Sequence, residues 1–343
     1  MRYRNLRRAA LPLLLSAIAV AVLWQAGLSL LVPGPQPTFT PLPLHPAPSD
    51  EPISPIPRAL PLDAGKIALG RRLFHDTRLS QDNSISCASC HDLGQGGTDR
   101  LSRSVGIGGQ RADMNAPTVF NSGFNFRQFW NGRAASLEDQ LDGPVHNPKE
   151  MGSKWPQIVA KLERDGTYVA QFRRLYGGGI EPAHIKDAIA EFERSLVTPD
   201  SRFDKYLRGE HNALNFEEVK GYQLFKRYGC VACHQGVNVG GNLYERLGVV
   251  TPYFRDEQAS AAAHLGRNAV TGRPEDLHVF KVPGLRNVAL TAPYFHDGSI
   301  KSLEQVVAIM GRYQLGVAIP QADVALIVKF LHTLTGEYAG APL

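Results

Sequence analysis

Cys87-Ala-Ser-Cys90-His91 and Cys230-Val-Ala-Cys233-His234 contain all four cysteines of the 343-residue chain. Cys-x-x-Cys-His is the attachment signature of c-type haem. Two thiols add to the haem vinyl groups, and the adjacent histidine offers a nitrogen to the iron. A single copy would also read as a redox pair or half a zinc site. Two copies, each followed at once by histidine, read as two covalent haem c groups. A four-cysteine zinc site has no need of both histidines, and a disulfide has no need of the x-x spacing. His91 is therefore expected on the first iron and His234 on the second.

The sequence around the two motifs is duplicated. Gly70-Arg-Arg-Leu73-Phe74 precedes the first motif, and Gly221-Tyr-Gln-Leu224-Phe225 the second. Ala116-Pro-Thr-Val-Phe-Asn121 matches Val282-Pro-Gly-Leu-Arg-Asn287. Phe129-Trp-Asn-Gly132 with Ser136-Leu-Glu138 matches Phe295-His-Asp-Gly298 with Ser302-Leu-Glu304. Such an internal repeat predicts a mainly α fold of two cytochrome c-like domains, each with one covalent haem. Helices are expected at 156–163, 182–196, 216–227, 302–310 and 321–334, with Ala322, Ala325, Leu326 and Lys329 tracing one face of the last. Thr198-Pro199-Asp200 and the polar run 208–215 mark a boundary. The expected domains are 62–205 and 206–343.

The amino-terminal part is different in kind. Arg2, Arg4, Arg7 and Arg8 precede residues 9–32, a stretch without a charge. As a helix this would reach about 36 Å, enough to cross a ~30 Å hydrocarbon core. Trp24 spoils the best small-x-small cleavage site, so residues 1–32 read as an uncleaved signal anchor, with a cleaved signal peptide as the alternative. The arginines stay inside and the remainder is exported to the periplasm. Residues 33–61 carry 11 prolines and read as a semi-rigid polyproline linker. Beyond residue 32 the charge balance is 33 basic against 32 acidic residues, so nothing points to nucleic acid.

Function should lie where the two copies differ. After Ser302-Leu-Glu304 the C-terminal copy runs to Met310, whose thioether suits an electron-transfer haem with a closed sixth position. The N-terminal copy runs Gln140-Leu-Asp-Gly-Pro144-Val-His-Asn-Pro-Lys-Glu150-Met151. Peroxide cleavage needs a group that takes a proton from one peroxide oxygen and returns it to the leaving one. Glu150 suits that role and Gln140 suits orienting the peroxide. His146 and Met151 are alternative iron ligands in the same stretch.

The sequence resembles the bacterial di-haem cytochrome c peroxidases, the family that includes MauG-type enzymes. The resemblance is carried by Leu73-Phe-His-Asp-Thr-Arg-Leu-Ser80, Asn115-Ala-Pro-Thr-Val-Phe-Asn121, Phe129-Trp-Asn-Gly-Arg133, Gly143-Pro144 with Glu150-Met151, Leu196-Val-Thr-Pro-Asp200, residues 285–296 and Met310-Gly-Arg-Tyr-Gln-Leu-Gly316. It implies a high-potential His234/Met310 centre for electron entry and a peroxidatic centre on His91. It also implies Gln140, Pro144 and Glu150 in the pocket, with Trp130 between the haems. A calcium ion would be held by Asn115, Thr291 and Pro293, the hard oxygen donors calcium takes. The implied reaction reduces hydrogen peroxide to water with electrons from a small cytochrome c or cupredoxin, and a homodimer is compatible with it. The alternatives are a MauG-like enzyme oxidising a residue of a partner protein and a non-catalytic di-haem electron carrier. One departure stands out. Family members that need reductive activation carry Ser-Ile/Val-Gly-His-Gly, whose histidine caps the peroxidatic iron. Here the loop reads Ser104-Val-Gly-Ile107-Gly, and isoleucine has no lone pair to give.

Overall fold

The computed structural model describes residues 51–254 and 261–343. The expected anchor and most of the proline-rich stretch lie outside the described residues. Among the described residues no helix is long and apolar enough to cross a membrane. The described residues belong to one compact unit.

In chain order the helices are α1 (Ala64–Phe74), α2 (Cys87–Cys90), α3 (Leu137–Gln140), α4 (Asp142–His146), α5 (Trp155–Leu162), α6 (Gly166–Tyr176), α7 (Pro182–Ser195), α8 (Arg202–Leu207), α9 (Phe216–Arg227), α10 (Asn268–Thr271), α11 (Leu303–Gln314) and α12 (Gln321–His332). A short antiparallel ribbon pairs β1 (Tyr244–Arg246) with β2 (Val279–Lys281), Glu245 opposite Phe280. Local chemistry sets the ends. Asp63 accepts from the Lys66 amide at the start of α1, Asn215 and Glu218 form a capping box on α9, and Pro182 opens α7.

Each half is built on one helix crossing held apart only by a glycine. A Cβ on Gly70 of α1 would fall 1.8 Å from the Ala188 carbonyl oxygen of α7; one on Gly221 of α9 would fall 2.0 Å from that of Leu326 on α12. Around these crossings lie two hydrophobic cores. One gathers Leu73, Phe74, Ile158, Phe172, Ile189 and Phe192. The other gathers Phe203, Tyr222, Phe225, Ile327 and Phe330. The loops repeat as well. Asn121 and Asn287 both have φ +61°, and Phe129 and Phe295 both have φ +69°, a left-handed conformation rare for so bulky a residue. Both asparagine side chains donate to Thr198 Oγ1, at 2.8 and 3.1 Å, joining the two copies at one buried threonine.

The expected helices are present, with two adjustments. The helix expected to end at Met310 runs on to Gln314, and the buried face of α12 is Val324, Ile327, Val328, Phe330 and Leu331. Of the residues tracing one face at helical spacing, Ala322, Ala325 and Lys329 are exposed and Leu326 packs half-buried against the second core. Helix α12 packs against α9 and α11, and its large aliphatic and aromatic side chains, not its alanines, are the ones buried. The chain ends also cross over. Ile53, late in the proline-rich stretch, is buried in the second core, and Arg286 donates to the Ser54 carbonyl at 2.9 Å. Arg286 pairs with Asp204 at 2.8 Å, both side chains essentially without solvent exposure. Tyr338, near the other end, packs edge-on against Phe120 of the first half.

Candidate haem centres and peroxide pocket

His91 and His234 are held alike. Each ring sets Nδ1 3.3 Å from a backbone carbonyl, that of Gly97 in one case and Val239 in the other. A carbonyl only accepts, so Nδ1 carries the hydrogen and Nε2 keeps the lone pair a metal needs. Burial keeps both rings neutral, pushing His91 below the usual histidine value and His234 down to about 4. The four thiols are unpaired, and burial pushes Cys90 up to about 11 and Cys230 up to about 12.

A cavity of about 260 Å³ opens beside the second motif. Cys230, Cys233 and His234 line it together with Met310, and Leu303, Val306, Val307 and Ile327 make its apolar wall. Lys281 lines it too. This lysine is buried, and burial alone pushes its pKa down to about 8. A buried cation beside an apolar cavity suits an anionic edge such as a haem propionate. Attachment thiols, a neutral imidazole, a thioether and this cation together fit a haem.

Trp130, Asn115, Thr291 and Pro293 line the same cavity. Trp130 Nε1 donates to the Asn115 carbonyl at 2.9 Å, and its ring meets His296 edge-on at 6.4 Å. The Asn115 amide nitrogen donates to the Leu101 carbonyl at 2.9 Å, so Oδ1 is the atom it has to offer a cation.

On the first half, Ser136 caps α3 as Ser302 caps α11. The copies then diverge. Counting from these serines, Pro144 stands where Met310 stands and Gln140 where Val306 stands. Beyond His146 the chain leaves the helix and folds back, Met151 N donating to Pro144 O at 3.1 Å and Ser153 N to Val145 O at 2.7 Å. The fold-back carries Glu150 inward. Its charge is felt weakly at Cys90 of the first motif. Asn147 Nδ2 donates to Glu150 Oε1 at 2.7 Å. Burial lifts the Glu150 carboxyl above the usual glutamate value, while the Asn147 bond and the Arg133 charge pull it partly back. Arg133 lies over the Phe129 ring, 3.3 Å from its centre. Gln140 is half-buried at the end of α3.

Of the alternative ligands, each has other surroundings in the fold. Met151 is buried in the first core, and His146 is exposed with its ring edge-on to Trp155 at 6.1 Å. Ile107 donates its backbone N–H to the Glu150 carbonyl at 2.9 Å, and its Cδ1 lies against Gly152, where an added Cβ would come within 2.3 Å. The loop thus touches the Glu150 turn through a backbone N–H, and the Ile107 side chain adds only hydrocarbon. Tyr313 packs edge-on against Tyr253. Sequence reasoning misses Arg133 and Lys281. Arg133 closes the Phe-Trp-Asn-Gly-Arg stretch and is legible there as a cation near the pocket, whereas nothing local marks Lys281 as buried.

Comparison with known proteins agrees with this geometry. Residues 64–212 match the family model for di-haem cytochrome c peroxidase. The chain is 53% identical over 290 residues to cytochrome c peroxidase Ccp of Escherichia coli K12, covering 84% of this chain and 62% of that protein. It thus spans about three fifths of that relative's length. It is 48% identical to the cytochrome c551 peroxidase of Nitrosomonas europaea, covering 84% of this chain and 85% of the relative. Among solved structures, a MauG-like protein associated with microbial copper homeostasis superposes with a TM-score of 0.73 at 30% identity, covering 89% of this chain and 96% of that one. With two repeated halves that each carry a Cys-x-x-Cys-His motif, and with these relatives, the chain belongs to the di-haem cytochrome c peroxidases.

Proposed function

We propose that this chain reduces hydrogen peroxide to two waters, consuming two protons and two electrons from a small c-type cytochrome or cupredoxin in the periplasm. The observation that carries the reading is the unequal pair of positions eight residues beyond the two capping serines, Met310 in one copy and Pro144 in the other. Proline has no side-chain donor, so a haem held by the first half would keep a face open to substrate, whereas the Met310 thioether would be available to one held by the second. Bound through Cys87, Cys90 and His91, and through Cys230, Cys233 and His234, the haems supply the redox chemistry. The residues do the rest. Glu150, with its carboxyl raised by burial, takes a proton from one peroxide oxygen and returns it to the other. Gln140 orients the peroxide, and Arg133 offsets negative charge on Glu150. Met310 raises the potential of the second centre, and Trp130 carries electrons between the two. Asn115 Oδ1 and the carbonyls of Thr291 and Pro293 hold a calcium ion on the same wall. Residues 9–32 tether the enzyme to the inner membrane.

Because Ile107 contributes no ligand, the enzyme works without reductive activation. The oxidised holoenzyme, never pre-reduced, is expected to show a high-spin ferric EPR signal beside a low-spin one, and to turn over peroxide with reduced cytochrome c from the first mixing. Ile107→His is expected to convert the first haem to low spin and impose a need for pre-reduction. Two low-spin haems and no turnover before reduction in the wild type would overturn the proposal.

A further inference from the structure

Beside Trp130, two imidazoles and a carboxylate converge, and one of the imidazoles, His296, also lines the cavity beside the second Cys-x-x-Cys-His motif. His264 Nδ1 lies 2.8 Å from His296 Nε2, and one ligand atom from each of His264, His296 and Asp297 lies within 4.8 Å of the others. His296 and Asp297 come from the loop before α11, and His264 from a 3-10 turn, Ala262–His264, distant in sequence. The three are brought together only by the fold.

The surroundings hold this arrangement in place. The His264 carbonyl lies 2.7 Å from His278 Nδ1, which fixes the turn. The Phe254 ring covers the cluster, 4.6 Å from the His264 ring and 4.5 Å from that of His278. His296 stacks on Phe280 at 4.5 Å, and its carbonyl accepts from the Asn115 amide at 2.8 Å. Arg103 is the nearby cation, and Asp297 supplies the opposing charge. One of these two nitrogens carries the proton of the hydrogen bond between them; once it shifts to the other nitrogen of its own ring, two neutral ring nitrogens and one carboxylate oxygen suit a borderline divalent ion such as Zn2+, which takes nitrogen readily and leaves further positions to water. Calcium prefers an all-oxygen set.

We propose that His264, His296 and Asp297 form a binding site for a Zn2+-class divalent cation. The ion ties the 262–264 turn to the His296 loop and fixes the imidazole that meets Trp130 edge-on. The site depends neither on the calcium ligands proposed above nor on the peroxidase reading.

The test uses the full-length holoenzyme, stripped with a chelator and then kept in millimolar Ca2+. Titration with Zn2+ by calorimetry is expected to show one saturable equivalent per chain that calcium does not block. X-ray absorption at the zinc edge should show two nitrogen scatterers at about 2.0–2.1 Å. His264→Gln and Asp297→Asn should each weaken zinc binding by at least about tenfold, since even a residue behind a ligand costs 10–100-fold when removed. Both variants are read only where two haems remain attached, so either alone suffices. Absence of saturable zinc binding by the wild type, or wild-type affinity in a folded variant, overturns the proposal.

Discussion

The two halves of the molecule share parts of a scaffold down to single dihedral angles and differ in the side chains at matching positions and in the elements added around them. Gly70 and Gly221 make the same helix crossing, Asn121 and Asn287 the same left-handed turn, and His91 and His234 the same carbonyl contact. Against that common background stand Pro144 opposite Met310, Gln140 opposite Val306, and Glu193 opposite Leu331 on the helices that cross the glycines. The difference teaches a division of labour. A haem envelope needs two packed helices and several strained turns, so it is kept; the reactivity of the iron is set by the distal side chain, which can change without disturbing them.

The sharpest way to break the comparison is to exchange roles at the distal positions. Glu150→Gln should lower peroxide turnover by roughly 10²–10⁴-fold, the usual contribution of a general acid–base group, while both haems stay attached. Met310→Ala should instead lower the potential of the second haem and slow its reduction by the donor. Steady-state turnover with redox titration separates the two, and equal effects of both variants on both readouts would erase the functional asymmetry.

A second test asks whether the scaffolds are as equivalent as they look. Gly70→Ala and Gly221→Ala each push a methyl into a carbonyl, and overpacking of this kind costs roughly 1–3 kcal/mol. Thermal unfolding of the holoenzyme should show losses of similar size. A tolerated Gly221→Ala beside a damaging Gly70→Ala would mean the second crossing is looser.

A third effect, confined to a pH window, is expected at Glu193. It is buried in the first half, its Oε2 has no hydrogen-bond partner among the described residues, and burial pushes its pKa up to about 8. The native state therefore holds a proton that the unfolded chain releases near the ordinary glutamate value of 4.5. Its stabilising contribution is complete below that value and is lost as pH rises towards about 8. Glu193→Gln should flatten this part of the stability–pH curve and be the more stable protein at its alkaline end. Denaturant unfolding between pH 5 and 9 checks this, and an unchanged slope would show that the carboxylate finds a partner in solution.

Much of the site is legible in the amino-acid sequence. Covalent attachment needs two thiols and a histidine at fixed spacing, so Cys87–His91 and Cys230–His234 declare themselves locally, as does the duplication around them. Helices α7 and α9 are legible for a similar reason, since a proline start and a capping box act within one turn. Other features depend on partners far away along the chain. The burial of Lys281, the face of α12, the crossing of Ile53 into the second core and the pairing of Arg286 with Asp204 have no local signature. The same holds for His264 meeting His296 and for Ile107 settling on Gly152. By itself the sequence determined which chemistry the chain carries, because covalent and capping rules are short-range. Only the tertiary structure decided which charges lose their water and which side chains meet, because desolvation and close packing are properties of the assembled chain.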